Sequence, residues 1–227
     1  MTTLLILAAL PEEADAVFAG QGTALAALPF PARRVVLAGA TVTLVTCGLG
    51  KVHAACAAAL WTERVRPAAL LMTGTCGQLT DAAGSAFWIA GAVQHDYGAA
   101  LAAGFQPYPA GDWPMGAAAD RPFAAMPDPG LGLPHARIAS GDAFVADPAL
   151  AARLVAMGCQ LVDMEVAAMA QAAAALGLPW AAIKAPTDDA NGDSPGDFHA
   201  HLMAASARAA EGMEALVARL ALAANNS

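Results

Sequence analysis

Two acidic sites in the C-terminal half of the chain have the residue types and the spacing for acid–base chemistry. Met164-Glu165 and Thr187-Asp188 each follow a short apolar run, and an alanine-rich stretch lies between them. This order predicts a strand, a helix and a second strand. Because α/β sheets bind ligands at the carboxyl ends of their strands, we expect both carboxylates at that edge. The segment from Leu161 to Asp193 is therefore the first candidate for a functional site.

A third acidic group follows the first apolar run of the chain. Residues 3–10 are typical of a buried strand, and Glu12, Glu13 and Asp15 come at the start of the helix predicted after it. Carboxylates favour the positive end of a helix dipole, so helix capping alone could explain all three.

The sequence Gly48-Leu49-Gly50-Lys51 suggests a nucleotide-binding loop. A P-loop requires glycine where Val45 stands and serine or threonine where Val52 stands, so that motif is absent. We interpret the segment as a tight turn between a predicted hairpin, residues 33–38 and 41–47, and a helix that runs to residue 60.

Two further turns carry small residues and one aromatic side chain. Thr73-Gly74-Thr75-Cys76-Gly77 follows a predicted strand, residues 68–72, and we expect the chain to turn away there. Ser140-Gly141-Asp142-Ala143-Phe144 follows a short predicted strand, residues 136–139. Glycines let a ligand approach the main chain, and Phe144 could stack on a flat heterocycle. A plain turn and a core phenylalanine are the alternatives.

The remaining segments have no catalytic pattern of their own. Residues 97–134 are rich in proline and glycine with little periodicity, which predicts a long ordered loop of the kind that forms lids, oligomer contacts or substrate walls. Residues 197–223 predict an amphipathic closing helix. Its predicted apolar face comprises Met203, Ala207, Ala210, Met213, Val217 and Leu220.

Composition limits the class of protein. A chain of 227 residues fits one domain, residues 1–227, with a large core. Hydrophobic residues make up 58%, but no apolar run reaches the ~18 residues of a membrane span, so we expect a soluble protein without a membrane partner. The net charge of −8, with 11 lysines and arginines, argues against a nucleic-acid partner.

Cysteine and histidine spacing gives no metal motif. Cys47, Cys56, Cys76 and Cys159 match neither a disulfide framework nor a zinc site, and we expect reduced core thiols in a cytoplasmic protein. His199 and His201 lie two apart at a predicted helix start, so their side chains diverge. We predict no metal and no cofactor.

Six motifs occur in order over nearly the whole chain. They are Ala-Leu-Pro-Glu-Glu at 9–13, Gly-Leu-Gly-Lys-Val at 48–52, Thr-Gly-Thr-Cys-Gly at 73–77, Ser-Gly-Asp-Ala-Phe at 140–144, Val-Asp-Met-Glu at 162–165 and Thr-Asp at 187–188. Together they resemble the nucleoside phosphorylase and nucleosidase superfamily, most closely the bacterial 5′-methylthioadenosine/S-adenosylhomocysteine nucleosidases. The resemblance implies a three-layer α/β/α fold around a mixed, partly barrel-like sheet, a nucleoside substrate and a homodimer.

The resemblance also implies roles for single residues. Asp188 is similar to the acid that protonates the purine at N7, and Glu13 to the carboxylate that activates water. Glu165 and Met164 match the residues that bind the ribose. Seven other positions match substrate-facing or supporting residues: Leu49, Thr75, Cys76, Gly77, Phe144 and Val145 around the base and sugar, and Thr187 beside the acid. Lys184 matches a position that supports the acid and its loop.

The chemistry of glycosidic cleavage fits these residue types. A leaving purine needs a proton and an oxocarbenium-like sugar needs nearby negative charge, so three carboxylates in different protonation states are suitable. Asp189 and the apolar residues before Asp188 both favour a protonated Asp188 carboxyl.

Hydrolysis and phosphorolysis are the main alternatives. Phosphorolysis requires arginines for a phosphate dianion, whereas Met72 stands where the hexameric phosphorylases commonly have arginine, and Glu12 and Glu13 would repel phosphate. We therefore expect hydrolysis of a purine nucleoside, most of all a 5′-thio-substituted adenosine. Departures from the family at Gln78, Lys184 and Pro186-Thr187 leave futalosine and adenosylhopane as alternative substrates. A non-catalytic nucleoside-binding protein is a further alternative.

Overall fold

Strands and helices alternate along the part of the chain that the structure, a computed structural model, describes: residues 1–25, 29–117, 119, 121–190 and 194–225. The strands are β1 (Thr2–Ala8), β2 (Thr23–Ala24), β3 (Ala32–Leu37), β4 (Ala40–Thr46), β5 (Ala69–Gln78), β6 (Phe87–Gln94), β7 (Gly98–Leu101), β8 (Gly104–Pro107), β9 (Phe123–Ala124), β10 (His135–Ser140), β11 (Leu161–Asp163) and β12 (Trp180–Asp188). The α-helices are α1 (Pro11–Ala16), α2 (Lys51–Val65), α3 (Pro148–Ala156), α4 (Val166–Leu176) and α5 (Ser194–Asn225).

A mixed ten-stranded sheet closes partly into a barrel. The closed ring runs β5, β12, β6, β10, β11 and back to β5, and β1, β4, β3 and β2 extend the sheet from β5. The N-terminal half of β5 pairs with β1 at residues 69–72, and its last two residues pair with β11. The neighbour of β5 on this side therefore changes from β1 to β11 along its length, which opens a gap between the ends of β1 and β11.

Helices cover both faces of the sheet and make the three predicted layers. On one face, small residues of α2 and α4 pack closely, with Trp61 filling the space between helix and sheet. On the other face, α1 and α5 pack against β1, β4 and β12. The strand β1 is covered on both sides, since Leu4, Leu5, Ile6 and Leu7 are all buried. This architecture confirms the predicted fold class.

Several element predictions are confirmed and others are wrong. The hairpin is confirmed as β3 and β4, and the strand–helix–strand unit as β11, α4 and β12. The predicted turn at residues 73–77 is wrong, because β12 pairs with these residues and keeps them extended up to Gln78. The predicted loop at 97–134 contains a two-stranded hairpin, β7 and β8, and the short strand β9.

Two burial predictions also need correction. Met203 and Ala207 on α5 are exposed, because the buried face is rotated towards Ala205 and Ala209. Cys56 on α2 is exposed, while the other three cysteines are buried as expected. No helix among the described residues is long and apolar enough to cross a membrane.

Candidate functional site

A cavity of about 430 Å³ occupies the gap between β1 and β11. The structure brings the predicted site residues together here, with Lys184 buried outside the lining. The predicted residues that line it are Glu13, Leu49, Thr75, Cys76, Gly77, Phe144, Val145, Met164, Glu165, Thr187 and Asp188. They come from segments distant along the chain, so the cavity depends on the closure of the sheet.

Glu13 is fixed at the floor of the cavity by four donors. Its Oε2 accepts the N–H groups of Ala9 and Leu10, both at 3.0 Å. Its Oε1 accepts the N–H of Thr75 at 2.7 Å and the Thr75 hydroxyl at 2.8 Å. The Thr75 N–H lies beyond the last residue of β5 that pairs with β1, so the carboxylate takes the place of a strand partner. Four donors suit an ionised, acceptor-only carboxylate.

A β-bulge aims Asp188 at the cavity. In the pairing of β12 with β5, Pro186 faces Cys76 and Asp188 faces Gly77, so Thr187 is the extra residue. The Thr187 hydroxyl lies 2.7 Å from Asp188 Oδ2 and 3.3 Å from the carbonyl oxygen of Cys76. The N–H of Ala190 donates to Asp188 Oδ1 at 3.0 Å. Both oxygens of this buried carboxyl group are therefore held in place.

Glu165 lies at the start of α4 and receives a donor from another loop. The N–H of Gly50 donates to Glu165 Oε1 at 2.8 Å. Burial is the largest influence on its pKa, which is raised to about 7. Lys184 and the Gly50 N–H oppose this rise in pKa, whereas the negative charges of Asp163 and Glu13 add to it. Close to neutral pH, this group therefore exists in both protonation states.

Lys184 is a buried cation that lies behind the cavity lining and offsets the negative charge of its acidic residues. Its Nζ lies 3.0 Å from Asp163 Oδ2, 4.0 Å from Glu165 Oε2 and 3.3 Å from the carbonyl oxygen of Thr75. Burial acts to lower the pKa of Lys184, but Asp163, Glu165 and Glu13 outweigh burial and raise the pKa above its ordinary value. The ammonium group thus contacts Glu165 and Asp163, where the sequence suggested a residue that supports Asp188.

Asp163 is a cavity residue that the sequence interpretation missed, although it lies in the Val-Asp-Met-Glu motif. Its Oδ1 accepts the Ser140 hydroxyl at 2.5 Å, and its Oδ2 accepts the N–H of Val166 at 3.1 Å. The Ser140 hydroxyl in turn accepts the N–H of Ala167. Asp163 therefore joins β10, the first turn of α4 and Lys184 in one buried network.

Aromatic and apolar side chains form the outer wall. Phe144, which is 48% exposed, meets Phe198 edge to face with ring centroids 6.0 Å apart. Phe198 and His199 at the start of α5 also line the cavity, and the sequence interpretation missed both. The signal was weak because a phenylalanine in an amphipathic helix is ordinarily a core residue.

The described residues that line the cavity include no lysine and no arginine. Within the same part of the chain, no group of three or more His, Cys, Asp or Glu side chains is arranged to hold a metal ion. The cavity therefore presents carboxylates and apolar surface to a ligand.

Comparisons with known proteins agree with this geometry. A family model described as "Phosphorylase superfamily" matches residues 3–221. The 5′-methylthioadenosine/S-adenosylhomocysteine nucleosidase of Shewanella oneidensis is 31% identical over 186 residues, 74% of this chain and 75% of the relative.

Solved structures of Helicobacter pylori proteins share the fold. A mutant nucleosidase with 5′-methylthioadenosine in its active site has a TM-score of 0.83 at 20% identity, over 96% of this chain and 98% of that one. A futalosine hydrolase mutant has a TM-score of 0.82 at 21% identity, over 96% and 99% of the two chains.

The raised pKa of Glu165 predicts a pH-dependent stability. Between about pH 4.5 and pH 7, the Glu165 carboxyl group keeps its proton in the folded protein and loses it in the unfolded chain. The stabilisation that this proton gives the folded state is therefore complete below pH 4.5 and is lost as the pH rises through about 7. The free energy of unfolding of the wild type, relative to Glu165→Gln, should fall by roughly 1–3 kcal/mol between about pH 4.5 and pH 8. Denaturant melts at several pH values measure this difference.

Leu222→Ala on α5, an exposed position without a titratable group, provides the control. It should show a stability difference from the wild type that stays flat over the same pH range. An equally flat difference for Glu165→Gln would contradict the raised pKa.

Proposed function

Since the chain belongs to the phosphorylase superfamily, we propose that it is a nucleosidase that hydrolyses the N-glycosidic bond of a purine nucleoside. The observation that carries this proposal is the meeting of Glu13, Glu165 and Asp188 around one cavity. Curated relatives named as nucleosidases support the reaction class. We propose 5′-thio-substituted adenosines, namely 5′-methylthioadenosine and S-adenosylhomocysteine, as the substrates.

Asp188 is the proposed proton donor to N7 of the leaving base. The Thr187 hydroxyl has two acceptors within reach, Asp188 Oδ2 and the carbonyl oxygen of Cys76. A hydroxyl rotates to suit its partners, so it can donate to Cys76 while Asp188 carries the proton and to Asp188 after the proton has left. Thr187 would thereby stabilise the carboxylate that forms as the base departs.

Glu13 is the proposed partner of the attacking water. Both of its oxygens already accept two hydrogen bonds, and three of these donors are backbone N–H groups. The Thr75 hydroxyl is the one donor that can rotate away and leave Oε1 for a water molecule. The charge of Glu13 also favours the positive charge that develops on the sugar in the transition state.

The remaining lining residues would hold the sugar, the base and the 5′ group. Glu165 accepts hydrogen bonds from the ribose hydroxyls in this proposal, with Met164 packed against the ring. Phe144 stacks on the base, and the main chain at Val145 contacts the base edge. The apolar wall that includes Phe198 and Leu49 suits an uncharged thioether.

Water is a better nucleophile here than phosphate. The cavity carries several carboxylates, and among the described residues of its lining there is no guanidinium or ammonium group to bind a dianion. Lys184, the cation beneath the floor, is 1% exposed and already paired with Asp163 and Glu165. Phosphate would therefore meet net repulsion at the site.

A nucleoside panel tests the reaction and the substrate. The protein is incubated with 5′-methylthioadenosine, S-adenosylhomocysteine, adenosine, futalosine and adenosylhopane, with and without phosphate, and free base and sugar are followed by chromatography. We expect adenine from the first two substrates, together with 5-methylthioribose and S-ribosylhomocysteine respectively, at rates independent of phosphate. Base release that requires phosphate would indicate a phosphorylase. A protein that binds these nucleosides but releases no base would contradict the enzymatic proposal.

Substitution of Asp188 tests the proton donor. Asp188→Asn should lower kcat about 10²- to 10⁴-fold, because an amide cannot give up a proton to the leaving purine. The exposed Asp81, in the loop after β5 and outside the cavity lining, supplies a control with the same change of side chain. Asp81→Asn should keep kcat within about threefold, since Asp81 does not contact the cavity. Full activity in Asp188→Asn would remove its proposed role.

We also propose a homodimer that uses the segment at residues 97–134. Large apolar side chains there are exposed: Leu101 (56%), Phe105 (44%), Trp113 (76%) and Met115 (66%). Light scattering should give twice the chain mass of 22.7 kDa. Trp113→Ser should weaken the dimer, whereas Met203→Ser, an equally exposed apolar residue on α5, should leave it intact. A monomeric wild type at micromolar concentration would contradict this proposal.

A further inference from the structure

A cluster of three charged residues joins two neighbouring loops that both line the cavity. The Lys51 Nζ lies 2.5 Å from each carboxylate oxygen of Asp96 and 3.5 Å from Asp142 Oδ2. The N–H of Lys51 donates to Asp142 Oδ1 at 2.8 Å, and the N–H of Asp142 donates to Asp96 Oδ2 at 2.9 Å. The cluster therefore connects the start of α2, the end of β6 and the turn after β10.

The first loop, residues 48–51, turns at two glycines and packs closely against Asp142. Gly48 and Gly50 have φ values of +83° and +94°, in the region that favours glycine. A Cβ built on Gly50 would lie 3.1 Å from Asp142 Oδ1. Leu49 lines the cavity, and the Gly50 N–H donates to Glu165. Lys51 therefore ends a loop that supplies both a wall residue and a donor to the ribose-binding carboxylate.

The second loop, residues 141–145, is held at its start and at Asp142. The N–H of Gly141 donates to the carbonyl oxygen of Asp163 at 3.2 Å. The next residue, Asp142, binds Lys51 and Asp96, and it is followed by Ala143, Phe144 and Val145, which line the cavity. Asp142 therefore helps to position Phe144, the proposed base-stacking residue, which lies two residues further along the loop.

Asp96 anchors the cluster to the body of the sheet. Its Oδ1 accepts a hydrogen bond from Gln94 Nε2 at 2.9 Å, and Gln94 Oε1 accepts one from Gln171 Nε2 on α4 at 3.0 Å. Both loops therefore contact the Asp96 carboxylate, which is hydrogen-bonded to Gln94 of β6 and, through Gln94, connected to Gln171 of α4.

We propose that Lys51 is a positioning residue whose ammonium group, through Asp96 and Asp142, holds the Leu49 and Phe144 walls at the spacing that a nucleoside requires. The inference rests on the nucleosidase activity proposed above. Loss of the charge removes no group that touches the substrate. It removes the ion pairs to Asp96 and Asp142 and leaves the cluster with only the hydrogen bonds of the Lys51 and Asp142 N–H groups, so both loops become more mobile. Binding must then order them, and this cost lowers affinity. Once the substrate is bound, Glu13 and Asp188 act as before, so turnover changes little.

Replacement of Lys51 by methionine should leave the fold nearly intact. The Lys51 side chain is 16% exposed and methionine can fill its place, while Asp96 and Asp142, at 31% and 48% exposed, can be solvated by water once the ammonium group is gone. An effect on the substrate can therefore be separated from an effect on stability.

Steady-state kinetics with four variants test the role. Lys51→Met should raise KM about tenfold with kcat within about threefold, and Lys51→Arg should recover most of the affinity because it restores the charge. The double variant Lys51→Met/Asp96→Asn should raise KM no more than Lys51→Met alone, as expected for two residues that act through one contact. Arg66→Met, which removes an exposed cation at the end of α2, should leave KM and kcat unchanged.

Hydrogen exchange gives a readout that does not depend on activity. The amides of Gly50 and Asp142 should exchange faster in Lys51→Met than in the wild type, while those of Leu4 to Leu7 in β1 stay unchanged. Unchanged exchange in both loops, or an unchanged KM in an active enzyme, would overturn the inference. If the wild type cleaves no nucleoside but both loops exchange faster in the variant, the proposed function fails and the positioning of the loops by Lys51 stands.

Discussion

A single buried ammonium group makes an acidic cavity possible in this fold. Lys184 is 1% exposed and contacts Asp163, Glu165 and the carbonyl oxygen of Thr75. Buried carboxylates without a cation take up protons, because desolvation and mutual repulsion both disfavour the charged form. One lysine does not compensate three neighbouring acids in full. Burial raises the pKa of Glu165, and the ammonium group, 4.0 Å from Glu165 Oε2, lowers it without cancelling the effect of burial and of the neighbouring acids.

Closure of the sheet places the cation and its partners together. Lys184 lies on β12 and Asp163 at the end of β11, and both strands pair with β5. Without the pairing of β11 with β5, the strands β10 and β6 would separate β11 from β12, and these side chains would not meet. The paired network therefore depends on the ring of five strands, and the bulge at Thr187 then turns Asp188 to the cavity.

The sequence was sufficient for the elements that have local signals. Apolar runs bounded by glycine, proline or acids predicted β1, the β3–β4 hairpin and the β11–α4–β12 unit. The extension of β5 through residues 73–77 was missed, because threonine and glycine favour turns locally and only pairing with β12 keeps them extended. The hairpin of β7 and β8 was missed for a similar reason, since its short alanine- and proline-containing strands have no alternating pattern.

The candidate site likewise contains residues with a local sequence signal and residues whose position depends on contacts between distant segments. The positions of Glu165 and Asp188 after strands predicted that they meet at one sheet edge, whereas Glu13 was added to the site by the resemblance to the family, since helix capping alone could explain it. Asp163 has no separate signal, since its partner Lys184 lies 21 positions away and meets it only through closure of the barrel. The exposure of Phe144 and its contact with Phe198 likewise depend on where α5 begins.

The Thr-Gly-Thr-Cys-Gly motif gains a structural explanation from the two carboxylates beside it. A Cβ on Gly74 would lie 2.6 Å from Glu13 Oε1, and one on Gly77 would lie 3.2 Å from Asp188 Oδ1. The glycines therefore leave room for two carboxyl groups against one strand, where the sequence suggested a turn. A side chain at position 74 would displace the Glu13 carboxylate from the N–H and the hydroxyl of Thr75, because both groups donate to the same Oε1.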